Sequence, residues 1–163
     1  MIHLKPPLRW RQIETSDQEF LDALYQDSRP DLLAMPLPQL AMQQMIRMQQ
    51  MSQTQGITHS YPNALHRLLL WQEDSVGRIV LAQDESSIRL VDIAIKSEWQ
   101  GKGFATQVLV GLQEYARSHE KIISLAVQSN NSRAYGIYQR LGFVVQSSDG
   151  LFNQMNWHPA MVV

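Results

Sequence analysis

The stretch that most constrains the fold is Ile93-Ala94-Ile95-Lys96-Ser97-Glu98-Trp99-Gln100-Gly101-Lys102-Gly103-Phe104-Ala105-Thr106, which runs from an apolar strand through a glycine loop directly into a helix. A buried helix face over 103–118 is predicted from Phe104, Ala105, Val108, Leu109, Leu112, Tyr115 and Ala116, which keep an i, i+4 rhythm. A β-rich run at 122–127 follows, then an amphipathic helix over 132–141 that Gly142 closes as a left-handed cap. Two strands, 143–146 and 151–157, complete the chain. This β-helix-β-helix-β order predicts at least one parallel strand pair with a right-handed crossover. Upstream, Leu65–Trp71, 76–82 and Ser87–Ile95 are separated by Glu73-Asp74-Ser75 and Asp84-Glu85-Ser86, the pattern of an antiparallel meander.

The first third reads as helical. After a short strand at 8–13, Ser16 or Asp17 can cap a helix whose apolar face is Phe20, Leu21, Leu24 and Tyr25. A turn is expected at Arg29-Pro30-Asp31 and a break at Pro36 and Pro38, before a second helix over 39–54. That helix carries Met42, Met45, Met48 and Met51, and steps of three residues drift by about 60° on a helix of ~3.6 residues per turn. The methionines therefore cannot form one straight core stripe. They read either as ordinary packing or as an adaptable lip over a cleft, and the glutamines between them as a solvated face.

At 163 residues, a single domain spanning 1–163 is the expectation. With 44% hydrophobic and 18% charged residues, the chain can bury enough apolar surface to fold. Its net charge of −1 supplies no field to gather a polyanion, which argues against general nucleic-acid binding. The absence of cysteine removes thiolate metal sites, disulfides and a Cys nucleophile, and favours a reducing compartment. Pro6 and Pro7 interrupt any leader-like apolar region. No apolar run approaches the ~18 residues of a membrane span. A cytoplasmic protein with no membrane partner is expected.

Chemistry concentrates in two places. The loop entering the helix at Gly101-Lys102-Gly103 leaves backbone N–H groups unpaired at the positive end of the helix dipole, where a phosphate is stabilised. The same glycines would also serve a mere tight connection. The P-loop and dinucleotide patterns both fail here, the second because Thr106 stands where Gly or Ala is needed. Downstream, Asn131 and Tyr138 are seven residues apart, close to two helical turns, so both can address one ligand from one helix face. Singly, Asn131 reads equally as a helix cap and Tyr138 as a core aromatic.

Together these motifs resemble the acetyl-CoA site of the GNAT superfamily of N-acetyltransferases. Gln100, Gly103 and Ala105 match its loop, and Asn131, Ala134, Tyr138, Gly142 and Phe143 match its downstream pattern, whereas Ser97 stands where many relatives have Pro and would loosen the turn. The resemblance implies a mixed α+β fold: a mostly antiparallel sheet of six to seven strands, about four flanking helices, and a splayed parallel pair at the cofactor site. It implies a core over 65–157 and a variable acceptor-side region over 1–64. Acetyl-CoA would rest on Gln100, Gly101, Lys102, Gly103, Phe104, Ala105 and Thr106, pair with the strand edge at Ile93, Ala94 and Ile95, and touch Asn131. A bulge in the first splayed strand would aim an N–H at the thioester oxygen, and Tyr138 would protonate the departing thiolate.

Asp92, the only acid inside the apolar strand, reads either as the general base or as the partner of Arg89 or another cation at the edge of the core; Glu98 and a water chain are the other bases. His59 and His66 are isolated, so no metal is expected. The implied activity is acetyl transfer to a primary amine, on a small molecule, peptide or protein, by direct attack in a ternary complex. The alternative is a CoA-binding sensor or scaffold without catalysis; a toxin acetylating aminoacyl-tRNA is opposed by the net charge. The apolar tail Pro159-Ala160-Met161-Val162-Val163 suggests a homodimer contact.

Overall fold

The computed structural model describes residues 2–159. Seven strands, β1 (Leu8–Gln12), β2 (Leu65–Trp71), β3 (Asp74–Gln83), β4 (Ser87–Ile95), β5 (Ile122–Gln128), β6 (Val144–Ser148) and β7 (Phe152–Trp157), form one sheet in the order β1-β2-β3-β4-β5-β7-β6. All neighbours are antiparallel except β4 and β5, which are parallel and joined through a helix. Five helices accompany the sheet: α1 (Gln18–Asp27), α2 (Pro30–Leu33), α3 (Gln39–Ser60), α4 (Phe104–Ser118) and α5 (Ser132–Arg140). The meander, the crossover and the mixed sheet are as expected.

Alternation along β2 explains how both faces of the sheet are covered. Leu69 joins the main apolar cluster with Val108, Leu109 and Leu112 of α4 and Ile123 and Leu125 of β5, while Leu68 and Leu70 join Leu21 of α1 in a smaller one. Gln113, a buried amide on α4, donates to the Leu141 carbonyl at 2.8 Å and so ties α4 to the end of α5. Gly142 adopts φ +93°, the left-handed cap that turns the chain into β6.

Residues 2–64 depart from the sequence reading in four ways. Pro30 opens the short helix α2 rather than a turn, which suits a residue with no N–H to satisfy, and Leu32 is buried beneath it. Helix α3 continues past Thr54 to Ser60 and stops at Tyr61, where the following Pro62 disfavours helical backbone. Met48 is 68% exposed and Met51 is exposed too, whereas Met42 and Met45 are half-buried, so packing describes only the first half of the methionine row. Gln50 is only 2% exposed, so the glutamines are not simply a solvated face. Its amide joins α3 to α1, accepting from Gln18 at 2.7 Å and donating to Thr54 Oγ1 at 3.0 Å.

Asp17 does not cap α1 with its side chain; it is buried in an ion pair with Arg11 at 2.8 Å and accepts the Glu14 amide. No helix among the described residues is long and apolar enough to cross a membrane, and none of their acidic and histidine side chains gather into a metal-binding group. Ala160 to Val163 of the apolar tail lie outside the described residues.

Candidate functional site

The site begins where β4 and β5 part. Their pairing runs only from Ser87 and Ile122 to Leu90 and Leu125, although β4 continues to Ile95 and β5 to Gln128. At the parting, Val80 pairs with Asp92 and Leu81 with Leu90, so Val91 is an extra residue, a bulge in β4. Just beyond β4, the Lys96 amide donates to Val76 on β3 at 2.8 Å. By two-residue alternation, the backbone groups of Ile95 and Ile93 face away from β3, into the gap. The Ile95 carbonyl already receives Gln100 Nε2 there, at 2.9 Å.

The glycine loop closes one end of this gap. Gly101 and Gly103 both have left-handed backbone, φ +79° and +84°, and Gly103 is the N-cap of α4. A Cβ on Gly103 would touch nothing within 4 Å, so glycine serves the backbone conformation there rather than a close contact. The first backbone bond of α4 is Gln107 N–H to Gly103 C=O, which leaves the amides of Phe104, Ala105 and Thr106 without a helical acceptor. They open on a cleft of about 390 Å³ bounded by Ile93, Ile95, Trp99, the loop and α5. The cleft carries Arg133 and Arg140 but no carboxylate, so its local potential is positive although the chain's net charge is −1.

Helix α5 forms the opposite wall. Asn131 caps it, its Oδ1 accepting the Ala134 amide at 3.2 Å, and also lines the cleft. Two turns on, Tyr138 is 8% exposed, packs at 5.8 Å between ring centroids on Phe143, and lines the same cleft. Burial, and secondarily the charge of Asp92, pushes its phenol up to about 12, so the hydroxyl keeps its proton throughout the neutral range.

Asp92 lies on the other side of β4. Ile93 and Ile95 belong to the main apolar cluster, whereas Asp92 and Ala94 line a second cavity of about 60 Å³ with Leu21, Leu24, Tyr25, Ser28, Gln50, Gln53 and Arg78. The partner of Asp92 is Arg78, not Arg89: Arg78 Nη2 and Nε reach Asp92 Oδ2 at 2.8 and 3.3 Å, while Arg89 crosses to Gln154 on β7. His66 pairs with Val80, which pairs with Asp92, so all three stand in one row across the sheet. Burial, then the Arg78 charge, holds the His66 imidazole below its ordinary value and keeps it neutral.

A clamp joins the two sides. Asp27, the last residue of α1, accepts Lys96 Nζ at 3.0 Å and the Ser97 amide at 2.8 Å, at the start of the turn leading to the glycine loop. Burial by itself would raise its carboxyl, but these bonds hold it below the ordinary range. The turn is therefore tied, not loosened, by Ser97; proline has no N–H to offer Asp27.

Of the residues singled out in the sequence, Ile93, Ile95, Gln100, Gly101, Gly103, Phe104, Ala105, Thr106, Asn131 and Tyr138 gather on the main cleft. Lys102 is exposed and does not line it, and Ala94 and Asp92 face the smaller cavity. Trp99, Arg133, Ile137 and Arg140 line the cleft without having been singled out. The spacing of Arg133, Ile137 and Arg140 follows the same i, i+4, i+7 face logic that links Asn131 to Tyr138.

The sequence matches the model of the Acetyltransferase (GNAT) family over residues 19–143. No curated protein matches the chain in sequence. Among solved structures, the PaiA N-acetyltransferase of Thermoplasma acidophilum in complex with coenzyme A is similar at a TM-score of 0.68 and 18% identity, over 93% of this chain and 98% of that one. An acetyltransferase from Thermus thermophilus gives a TM-score of 0.67 at 18% identity, over 96% and 99% of the two chains. Spermidine N-acetyltransferase from Vibrio cholerae, with CoA and spermine, gives 0.64 at 20%, over 95% and 97%.

Proposed function

The chain belongs to the acetyltransferase (GNAT) family, and on that premise we propose that it transfers an acetyl group from acetyl-CoA to a primary amine by direct attack, with both substrates bound together. The observation that carries this reading is the parting of β4 from β5 beside a cleft with positive side chains, unpaired helix amides and no carboxylate. The presence of CoA in the similar Thermoplasma and Vibrio structures supports it.

In this reading the pyrophosphate rests on the loop and the first amides of α4, with Arg133 and Arg140 adding charge. The pantetheine arm pairs with the backbone of Ile93 and Ile95, displacing Gln100 from the Ile95 carbonyl. The reacting amine arrives protonated and must lose a proton before it has a lone pair to attack with. Asp92, directly or through water, takes that proton. The nitrogen then attacks the thioester carbon, forming the C–N bond, and the oxyanion is met by a backbone N–H of β4 beside the Val91 bulge. As the C–S bond breaks, the Tyr138 hydroxyl donates to the leaving sulfur. The ammonium and thioester become amide, thiol and one released proton.

The test is release of free CoA from acetyl-CoA with a panel of primary amines, alongside calorimetric binding of acetyl-CoA. Amine-dependent release is expected. Tight binding with no release for any amine would replace this reading with a CoA-binding sensor or scaffold.

A further inference from the structure

We infer that Thr54 of α3, oriented by Gln50, is a positioning residue: it holds Arg78 on one carboxylate oxygen of Asp92, Oδ2, and so keeps Oδ1 free to take the amine's proton. The inference rests on the acetyl-transfer reading above, with Asp92 as its base, and adds a residue that lines neither cavity.

The direction of the network is set from its outer end. Asp22 accepts Arg47 Nε and Gln18 Nε2, each at 2.8 Å, and a carboxylate can only accept, so it fixes which way the Gln18 amide turns. The same Gln18 nitrogen donates to Gln50 Oε1 at 2.7 Å, which leaves Gln50 Nε2 to donate to Thr54 Oγ1 at 3.0 Å. Thr54 Oγ1 also accepts Arg78 Nη1, at 3.2 Å. A guanidinium has donors only, so an acceptor is what Arg78 needs at that place. Gln50 and Arg78 are both buried, and each depends on Thr54 for its bond.

What this arrangement withholds is a fork. An arginine beside a carboxylate commonly closes on both oxygens through two parallel N–H bonds. Here Nε and Nη2 of Arg78 both end on Asp92 Oδ2, at 3.3 and 2.8 Å, while Nη1 is drawn to Thr54. Among the described residues none donates to Oδ1. A guanidinium released from Thr54 can swing onto both oxygens and occupy the group that has to accept a proton. Gln53 Oε1, the other acceptor on Nη2, at 3.3 Å, belongs to an exposed residue whose place water can take, so Thr54 is the anchor that matters.

The ionisable groups about Asp92 are Arg78 on β3, His66 in the same row on β2, Tyr25 in the same cavity on α1, and Tyr138 on α5; α3 brings only the neutral Gln50, Gln53 and Thr54. His66 stays neutral and Tyr138 protonated across pH 7 to 9, so neither changes charge there.

The experiment follows CoA release by the intact chain at saturating acetyl-CoA, with n-butylamine, spermidine and trialanine as acceptors, from pH 7 to 9. Thr54→Val is expected to lower kcat at pH 7 by roughly 10- to 100-fold, the scale of a misplaced catalytic group, with calorimetric affinity for acetyl-CoA unchanged. The loss should shrink at pH 9, where more amine is already free and needs no base. Thr54→Ser keeps the hydroxyl and should restore the rate. In an Asp92→Asn background, with no base left to position, Thr54→Val should slow turnover no further, a non-additivity that a merely stabilising residue does not show. Should the valine variant unfold, Thr54→Ala deletes the same hydroxyl and is read by the same outcomes. A variant as fast as the parent, a loss equal at pH 7 and 9, or a loss that persists in Asp92→Asn would overturn this inference alone. Asp92→Asn turning over as fast as the parent at pH 7 would remove the base as well. Absence of CoA release with every amine, while acetyl-CoA still binds, would remove the acetyl-transfer reading with both.

Discussion

Replacing Tyr138 with Phe separates packing from chemistry because the structure gives the ring and the hydroxyl different surroundings. The ring is 8% exposed and stacks obliquely on Phe143 at 5.8 Å, contacts that Phe reproduces. Tyr138 lines the cleft, and burial followed by the nearby Asp92 charge raises its hydroxyl to about 12. It therefore stays protonated from about pH 6 to 10, and no limb of the rate profile in that range belongs to it. Deleting the hydroxyl should leave folding stability within about 1 kcal/mol of the parent, since no strong internal hydrogen bond is broken. If the hydroxyl meets the leaving sulfur, losing it lowers kcat by roughly 10² to 10⁴. At about 1.36 kcal/mol per factor of ten, this is about 2.7 to 5.4 kcal/mol of transition-state stabilisation. Thiol release under saturating acetyl-CoA, calorimetric affinity and a thermal melt measure the three quantities. A rate within a few-fold of the parent with an unchanged melt would show that the hydroxyl has no part in the reaction.

Gly103→Glu is expected to abolish acetyl-CoA binding by calorimetry with a folded circular-dichroism spectrum: the new Cβ has open space, the left-handed backbone adds about 1–2 kcal/mol of strain, and the carboxylate lies where the amides favour an anion. Asp92→Asn is expected to slow turnover at neutral pH and to recover partly at higher pH, where more amine is already free; parallel profiles would make Asp92 structural. Ser97→Pro is expected to destabilise the fold by about 1 kcal/mol in urea titration, because the lost amide bond to the Asp27 carboxylate, about 1.5–3 kcal/mol, outweighs the gain from a stiffer loop. Asp17→Asn is expected to cost about 1–3 kcal/mol at pH 7. The Arg11 hydrogen bond holds the Asp17 carboxyl below its ordinary value, so this stability is present above the unfolded pKa near ~3.9 and vanishes as pH falls through the folded one, where variant and parent should converge.

The half of the site that holds the main cleft was legible because its parts are local. A glycine needing φ +84° sits directly before the helix it opens, Asn131 caps Ala134 three residues on, and Tyr138 shares its helix face with Asn131. Chain order also gave the parallel crossover. The other half is assembled from residues far apart in sequence. The sequence offers Asp92 either Arg89, three residues away, or another cation at the edge of the core, and cannot say which; Arg78 comes from the neighbouring strand through a register shifted by Val91. Gln50 looks solvent-facing until Gln18, thirty-two residues earlier, is placed against it. Asp27 and Ser97 are seventy residues apart, and no pattern in either segment announces that one needs the other's amide.

The Val91 bulge connects these two halves. A strand sends alternate side chains to opposite faces, so a residue taken up as a bulge reverses the face that simple alternation along the sequence would assign to every residue beyond it. Before the bulge, Ile88 and Leu90 face the main apolar cluster; after it, Ile93 and Ile95 do. Were Val91 paired in regular alternation instead of bulged, Asp92 would face that cluster, where a carboxylate taken from water with no partner costs several kcal/mol, and Ile93 would face Arg78. With it, Asp92 meets Arg78, and the two isoleucines close the floor of the cleft with their backbone edges turned into the gap. The same insertion places Val91 outside both ladders, beside the point where β4 leaves β5. One residue of register thus fixes which face carries the acid, which face carries the cleft, and where β4 leaves β5.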